Sequence, residues 1–198
     1  MVLVESGVCA MRVVLMALLA CLLCACSSGR DPLVSNASAV PAGNWRIERQ
    51  VDRITGTSLP SAFLRTLASN SAEQFPQPAM LQLTCFKDQP IIRMSFDFKI
   101  GSNKNATLGY RFDDKPGREV EKARFLADFR VVVIEEKADV AQFVSELATS
   151  KLLYVRIRSL NGGRSTAEFR LDGAQAAIEA GYDGCSATAN QLRGRKSA

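Results

Sequence analysis

Hydrophobic and polar residues alternate through much of the chain after Trp45, which is the pattern of strands with one buried face. The clearest run covers 91–100, where every second residue from Ile92 to Ile100 is apolar and the residues between are polar or charged. Further strands are predicted over 45–54, 80–87, 107–112, 130–135, 151–160 and 164–172. The expected fold class is mainly β (α+β), with antiparallel sheets or a sandwich that carries two short helices.

Three segments show helical spacing instead of alternation. The first begins at Asp139, which forms a capping-box pattern with Gln142 ahead of apolar residues three and four apart. In the second, Asp172 is the predicted N-cap and Gly181 the predicted C′ residue, just past the end of the helix. A third, short helix is predicted over 61–68, where the apolar residues fall on one side.

The apolar pattern also predicts the register of the first hairpin. A two-residue turn at Asp88–Gln89 would place Leu83 opposite Met94 and Leu81 opposite Phe96. This pairing keeps the apolar faces of the two strands together.

A later hairpin carries the candidate binding face. A two-residue loop there would pair apolar with polar positions, so a three-residue loop, Asn161–Gly163, is predicted. On the outer face this register places Arg156 opposite Glu168 and Tyr154 opposite Arg170.

Cationic side chains gather around Tyr154 on that outer face. They are Arg156, Arg158, Arg164 and Arg170. Together they could hold an anionic ligand such as a phosphorylated lipid or an acidic polymer, and Arg158 has no acidic partner in this register. The alternative is a solvated sheet face whose arginines suppress edge pairing. One strand earlier, Arg111 and Asp113 could position a polar ligand or form a structural ion pair.

The beginning of the chain has the features of an export signal. The apolar run 13–25 is shorter than the about 20 residues that a membrane span takes, and it suits a signal peptide. Translation is predicted to start at Met11 rather than at the first residue. The run ends Leu-Cys-Ala-Cys, which resembles a bacterial lipobox, so Cys26 is the predicted lipid-attachment residue. Leu18–Cys21 is a second match, and an ordinary signal peptide is the alternative. Because Ser27 is not Asp, the bacterial sorting rule implies the outer membrane.

These features divide the chain of 198 residues into four parts. They are a lipoprotein signal peptide at 1–25, a flexible tether at 26–43, one β-rich domain at 44–185 and a disordered basic tail at 186–198. The net charge is +5, and the basic tail is too short and too poor in aromatic residues to predict a nucleic-acid partner.

Cysteine and histidine usage restricts the chemistry. Once the leader is removed and Cys26 is acylated, Cys85 and Cys185 remain, and two thiols in an oxidising compartment usually pair. The chain contains no His, which excludes Ser-His and Cys-His catalysis and every His-containing metal site. No nucleophile–base pair is recognisable either, so we expect no enzyme activity and no cofactor.

The order of short motifs in the domain resembles a known family. A Trp near the start is followed by Leu-x-Leu-x-Cys at 81–85, Tyr-Arg-x-Asp at 110–113, Phe-x-x-x-Leu at 143–147, Phe-x-Leu-x-Gly at 169–173 and a closing Cys185. This order resembles the VasI-like proteins associated with type VI secretion. The resemblance implies a periplasmic, β-rich accessory domain with one disulfide and no catalytic residues. The chain departs from that family in having a lipobox.

Two hypotheses about function follow. The first is a noncatalytic envelope lipoprotein that faces the periplasm and acts by protein–protein contact, as an interaction or secretion-accessory module. It predicts an exposed patch and no deep polar cleft. The second is a lipoprotein that binds an anionic envelope ligand through the Arg-rich hairpin face. In both, the lipid anchor makes the membrane a partner.

Overall fold

A computed structural model of the chain describes residues 40–70, 77–101, 106–160 and 163–185. The predicted leader with Cys26, most of the predicted tether and the tail 186–198 lie outside the described residues. The first strand begins at Val40, so the sheet starts inside the stretch predicted as tether.

The described residues form twelve strands and two helices, which confirms the mainly β prediction. They are β1 (Val40–Ala42), β2 (Trp45–Val51), β3 (Ser58–Thr66), β4 (Ser69–Asn70), β5 (Ala79–Phe86), β6 (Gln89–Phe96), β7 (Thr107–Phe112), β8 (Arg118–Val120), β9 (Arg124–Leu126), β10 (Val131–Ile134), α1 (Lys137–Leu147), β11 (Leu152–Ser159), β12 (Gly163–Arg170) and α2 (Ala174–Gly181).

The strands form two antiparallel sheets that bury their inner faces in one core. The larger sheet has the order β1-β2-β3-β5-β6-β10-β9 and the smaller one β4-β12-β11-β7-β8. Alternate residues of β5, β11 and β12 enter the core, whereas all four residues of β10 are buried. The largest fully buried side chains include Trp45, Phe112 and Phe169. The inner face of β6 contains Ile92, Met94 and Phe96, as its alternation predicts.

The predicted helix at 61–68 is wrong, because this segment forms most of β3. Residues Pro60 to Leu64 are all buried, and β3 pairs with β2 on one side and β5 on the other. An interior strand satisfies its backbone groups on both edges, and these long-range bonds outweigh a weak local helical spacing.

Both predicted hairpin registers are displaced by two residues. In the first, Leu83 lies opposite Ile92 rather than Met94. The turn is Lys87–Asp88, and both residues have positive φ, of 49° and 59°. This is the type I′ geometry whose twist matches that of the paired strands. A displacement by two leaves every side chain on its predicted face.

In the second hairpin, Tyr154 lies opposite Glu168, and Arg156 lies opposite Thr166. The strands end at Ser159 and resume at Gly163, so the connection has three residues, as predicted, but it is centred one residue earlier. The residues expected to share the outer face do share it.

Neither Asp139 nor Asp172 is the N-cap residue of its helix. α1 begins at Lys137 after Glu136, whose carbonyl accepts the first helical bond from Val140 N at 2.9 Å, and Asp139 lies within the first turn. α2 is preceded by Gly173 in a left-handed conformation, with φ of 91°. A backbone turn here replaces the side-chain cap that the sequence pattern predicts.

The segment before α2 meets the beginning of the domain at a close backbone crossing. A β-carbon on Gly43 would lie 2.3 Å from the carbonyl oxygen of Asp172, and one on Gly173 would lie 2.1 Å from that of Ala42. The crossing is closed by Asn44, whose backbone N donates to Asp172 O at 2.9 Å and whose Nδ2 donates to Asp172 Oδ2 at 3.0 Å. Only glycine fits at both crossing positions.

The predicted disulfide between Cys85 and Cys185 is present. Their Cα atoms are 6.0 Å apart, and the bond closes a separation of 100 residues. The disulfide links the segment after α2 covalently to the end of β5. The Cys185 side chain is buried. None of the helices in the described part of the chain is long and apolar enough to cross a membrane.

Candidate functional site

The outer face of the smaller sheet contains a groove of about 810 Å³. Its floor is formed by β7, β11 and β12, one side by Ala68 and Ser69, and the other by Gly117–Glu119. The predicted binding-face residues Arg111, Tyr154 and Arg156 all line this groove. They meet because each lies at an outward-facing position of its strand.

Tyr154 stands in the centre of one row across the floor. The strand register places Arg111 of β7 on one side of it and Glu168 of β12 on the other. The Arg111 guanidinium lies 4.8 Å from the centroid of the Tyr154 ring, which is a cation–π contact. The row therefore presents a stacked aromatic surface between a cation and an anion.

Glu119 joins the two arginines of β11. Its Oε1 accepts from Nη2 of Arg156 at 3.1 Å and also accepts from Nη2 of Arg158. The expectation that Arg158 has no acidic partner is therefore wrong. Glu119 comes from β8, which the sequence pattern does not predict as a strand. Because about half of each of these side chains is exposed, solvent screening leaves each exposed pair worth at most about 1 kcal/mol.

Gly109 is a groove residue that sequence reasoning missed. It lies opposite Arg156 in the register, and a β-carbon there would come within 3.4 Å of Arg156 Nη2. The Arg156 guanidinium lies over this glycine and reaches Glu119. A glycine inside an alternating strand is the sequence signal for such a close approach.

Four of the predicted residues do not line the groove: Asp113, Arg158, Arg164 and Arg170. Arg170 is exposed and lies opposite Leu152, beyond the row of Tyr154. Asp113 sits just after β7, where its carboxylate accepts from the backbone N atoms of Lys151 at 3.0 Å and Leu152 at 2.9 Å. Asp113 thus stabilises the start of β11 through these two hydrogen bonds. Arg111 contacts Tyr154 instead of sharing a site with Asp113.

The charges that line the groove nearly balance. Three cations, Arg111, Arg118 and Arg156, face two anions, Glu119 and Glu168. Arg118 also donates to Oε1 of Glu146 on α1 at 2.8 Å. The lining is therefore mixed rather than strongly cationic.

The titratable groups with shifted pKa values all move away from neutrality. Hydrogen bonds from the Ile54 backbone and the Thr55 side chain lower the pKa of Asp52, and Lys99 lowers that of Asp128. Burial raises the pKa of Tyr110 to about 12 and raises that of Tyr182 as well. None of these four shifts produces a general acid or base poised near pH 7. Within 40–185, the described residues contain no group of three or more Cys, Asp or Glu side chains arranged to hold a metal ion.

Comparison with known proteins adds little to this geometry. No family model and no curated protein matches the chain. Among solved structures, invasion associated protein B from Bartonella henselae is similar, with 12% sequence identity and a TM-score of 0.48, over 82% of this chain and 100% of that chain. This level of similarity supports no argument about function.

Proposed function

We propose that this protein is a noncatalytic, lipid-anchored envelope lipoprotein that faces the periplasm and binds an extended segment of another envelope protein in the groove of the smaller sheet. The observation that carries the proposal is the groove itself, with Tyr154 stacked against Arg111 at its centre and a nearly balanced charged lining. Its volume falls within the range of about 300 to 1,000 Å³ that is typical of ligand pockets.

The lining favours a protein segment over a polyanion. Tyr and Arg are the residue types that most often dominate the binding energy of protein interfaces. Glu119 engages both Arg156 and Arg158, and this reduces their attraction for an anionic polymer. Glu168 adds a second negative charge to the lining.

Sequence features support the location in the envelope. The lipobox at Cys26 predicts a lipid anchor, and the Cys85–Cys185 disulfide is typical of exported proteins. A role as a secretion-accessory module rests on the VasI-like order of motifs.

The experiment is site-specific photocrosslinking of the full-length, membrane-anchored protein in cells. A photoreactive phenylalanine analogue at Tyr154 should capture one dominant envelope protein. The same analogue at Glu179, which is exposed on α2, is the matched control and should not capture it. Equal capture at both positions, or none at Tyr154, would contradict the proposal.

Two variants then separate the groove from the rest of the surface. Gly109→Val fills the floor and displaces the Arg156 guanidinium, so it should abolish crosslinking from Tyr154 while the fold is retained. Tyr154→Ala removes the stacked aromatic ring and should weaken partner binding by about 2 kcal/mol, roughly 30-fold, as for an interface hot spot. Thermal melting of each variant checks that it folds.

An anionic envelope ligand is the second candidate. Five arginines, at 111, 156, 158, 164 and 170, share the outer face with Glu119 and Glu168. This candidate predicts that the analogue at Tyr154 captures lipid or glycan rather than protein. It also predicts salt-sensitive binding that is lost on Arg158→Glu with folding intact.

A further inference from the structure

Exposed apolar side chains concentrate at one end of the larger sheet. Seven large hydrophobic residues are exposed among the described residues, and four of them lie in or beside two hairpin turns at this end. They are Val51 (43% exposed), Ile54 (95%), Leu59 (44%) and Phe86 (60%). We call this region, residues 51–59 and 86–88, the turn end.

The strand pairing brings the two turns together. β2 leads into the turn 52–57 and returns as β3, with Val51 opposite Ser58. β3 pairs with β5 up to Ser61 and Thr84, and two residues further in the same register stand Leu59 and Phe86. Since side chains alternate between the two faces of a strand, Leu59 and Phe86 both lie on the outer face of the larger sheet, just beyond the end of the β3–β5 pairing.

The turn that carries Ile54 is held in place by Asp52. The Asp52 carboxylate accepts from Ile54 N at 2.8 Å and from Thr55 Oγ1 at 3.0 Å. Its backbone N donates to Thr57 O at 2.9 Å, and its carbonyl accepts from Gly56 N at 2.7 Å. The negative charge of Asp52 is directed into the turn, while Ile54 is presented almost completely to solvent.

The second turn combines an aromatic ring with a cation. Lys87 Nζ lies 5.6 Å from the centroid of the Phe86 ring. A lysine beside an exposed aromatic ring suits a membrane interface, because its aliphatic stem can lie along apolar surface while the ammonium reaches the headgroups.

The chain enters the described domain from the side of the turn end. Val40 pairs with Ile47 and Ala42 with Trp45, so β1 runs antiparallel to β2 and the chain enters β1 from the side of the turn end. Thirteen residues separate Cys26 from Val40. The composition of this segment predicts a flexible tether, and a tether of that length would span roughly 20 Å. A lipid on Cys26 would therefore hold the bilayer within reach of the turn end.

We infer that the turn end docks on the lipid bilayer that holds the anchor, with Ile54 and Phe86 entering the headgroup region. The inference rests on the proposed lipid anchor, but it concerns a surface distinct from the groove. It gives the domain a fixed orientation on the membrane instead of free motion on its tether.

Tryptophan fluorescence tests this orientation with the full-length lipidated protein. The chain has a single Trp, Trp45, which is fully buried and supplies a constant background. Ile54→Trp is the reporter variant. Leu67→Trp is the matched control, because Leu67 is 70% exposed and lies just past the opposite end of β3. Each variant is reconstituted in phosphatidylethanolamine–phosphatidylglycerol vesicles whose acyl chains are brominated, since bromine quenches only nearby indoles.

The added emission of Ile54→Trp should shift to the blue and lose most of its intensity in these vesicles, while that of Leu67→Trp should change little. Equal quenching of both variants, or of neither, would overturn the inference. Concentration-dependent dimers with no quenching would also overturn it and assign the turn end to a second copy of the chain. Flotation with the vesicles is measured in parallel. A protein that does not float contradicts the lipid anchor, whereas one that floats without quenching contradicts only the docking.

Discussion

At the scale of single residues, Asp113 shows how a predicted ligand-binding side chain serves the fold. It lies directly after β7 with a positive φ of 47° and accepts two backbone hydrogen bonds from the start of β11. Asp and Asn tolerate this left-handed conformation better than other non-glycine residues. The short polar side chain therefore supplies both the turn and the connection to the neighbouring strand.

We expect Asp113→Ala to lower the free energy of unfolding by about 1–3 kcal/mol, because it leaves two backbone N–H groups without their acceptor. Asp113→Asn keeps one acceptor oxygen and the tolerance for positive φ, so its loss should be smaller. Asp114→Ala, at an exposed neighbouring position, is the control and should change stability by at most about 0.5 kcal/mol. Urea denaturation measures all three. Equal effects at 113 and 114 would show that the two hydrogen bonds do not stabilise the fold.

The groove shows what sequence can and cannot predict about a site. Alternation along β11 places Tyr154, Arg156 and Arg158 on one outward face, and the structure places them there. The contribution of Glu119 could not be predicted, because β8 has only three residues and its position depends on pairing with β7. Short edge strands carry too little periodicity to be recognised locally.

At the scale of elements, α2 is placed by close contact with the larger sheet. Gly181 is its last residue, and a β-carbon there would lie 3.0 Å from Leu83 O and 3.1 Å from Ala62 Cβ. The prediction that Gly181 is the C′ residue just past the helix is wrong, because Gly181 is the last helical residue and Tyr182 is the C-cap. Its physical role is different, since the glycine is needed for the approach of helix and sheet.

Gly181→Ala should therefore destabilise the protein by about 1–3 kcal/mol through overpacking. The sign of the change in stability is diagnostic, because a Gly→Ala substitution in an uncrowded helix stabilises the protein by up to about 1 kcal/mol. Gly117→Ala is the control, since its nearest neighbour to an added β-carbon is 3.7 Å away, an ordinary contact. Stabilisation by Gly181→Ala in thermal melting would be inconsistent with the packing of α2.

The positions of the long strands and the pairing of the two hairpins are predictable from the sequence, whereas the registers of these hairpins are not. The long alternating segments, above all 91–100, bury one face in the core. Burial of this face requires apolar residues at every second position, which makes the segment recognisable from the sequence. Registers depend on turn geometry, and the paired positive φ values at Lys87 and Asp88 have no strong sequence signal, since neither residue is glycine. The local pattern predicts a helix over 61–68 because the pairing of β3 with β2 and β5 leaves no trace in the spacing of its own residues.

At the scale of the whole molecule, the disulfide closes a loop that contains most of the domain. Reduction should lower the free energy of unfolding by about 2–5 kcal/mol, because the unfolded chain regains the entropy that the closed loop had removed. Guanidinium denaturation with and without reductant measures this loss. The double variant Cys85→Ala/Cys185→Ala is the control and should be unaffected by reductant. A reductant effect that persists in the double variant would have another origin.

Buried tyrosines make the stability of the fold depend on alkaline pH. Burial, with a further contribution from the carboxylate of Glu146, raises the pKa of Tyr110 to about 12, and burial also raises that of Tyr182. In the unfolded chain a tyrosine ionises near pH 10. Because the folded state holds the phenolic proton more tightly, this contribution is complete below about pH 10 and is lost as the pH rises towards 12.

The free energy of unfolding, measured by urea titration from pH 8 upwards, should fall above about pH 10. Tyr110→Phe should make this fall shallower, and Tyr110→Phe/Tyr182→Phe should remove more of it. If the double variant has the slope of the unmodified protein, other groups control the alkaline response.

The glycine crossing between Gly43 and Gly173 has a mechanical consequence. A protein tied to a membrane through its N-terminal segment experiences tension at the point where that segment joins the domain. Tension applied at Val40 would first peel away β1, which pairs along only three residues. It would then meet the crossing, where Asn44 is bonded to Asp172 just before α2. A pull on the N-terminal segment must therefore break these two hydrogen bonds and draw the fully buried Trp45 out of the core before β2 can separate from β3.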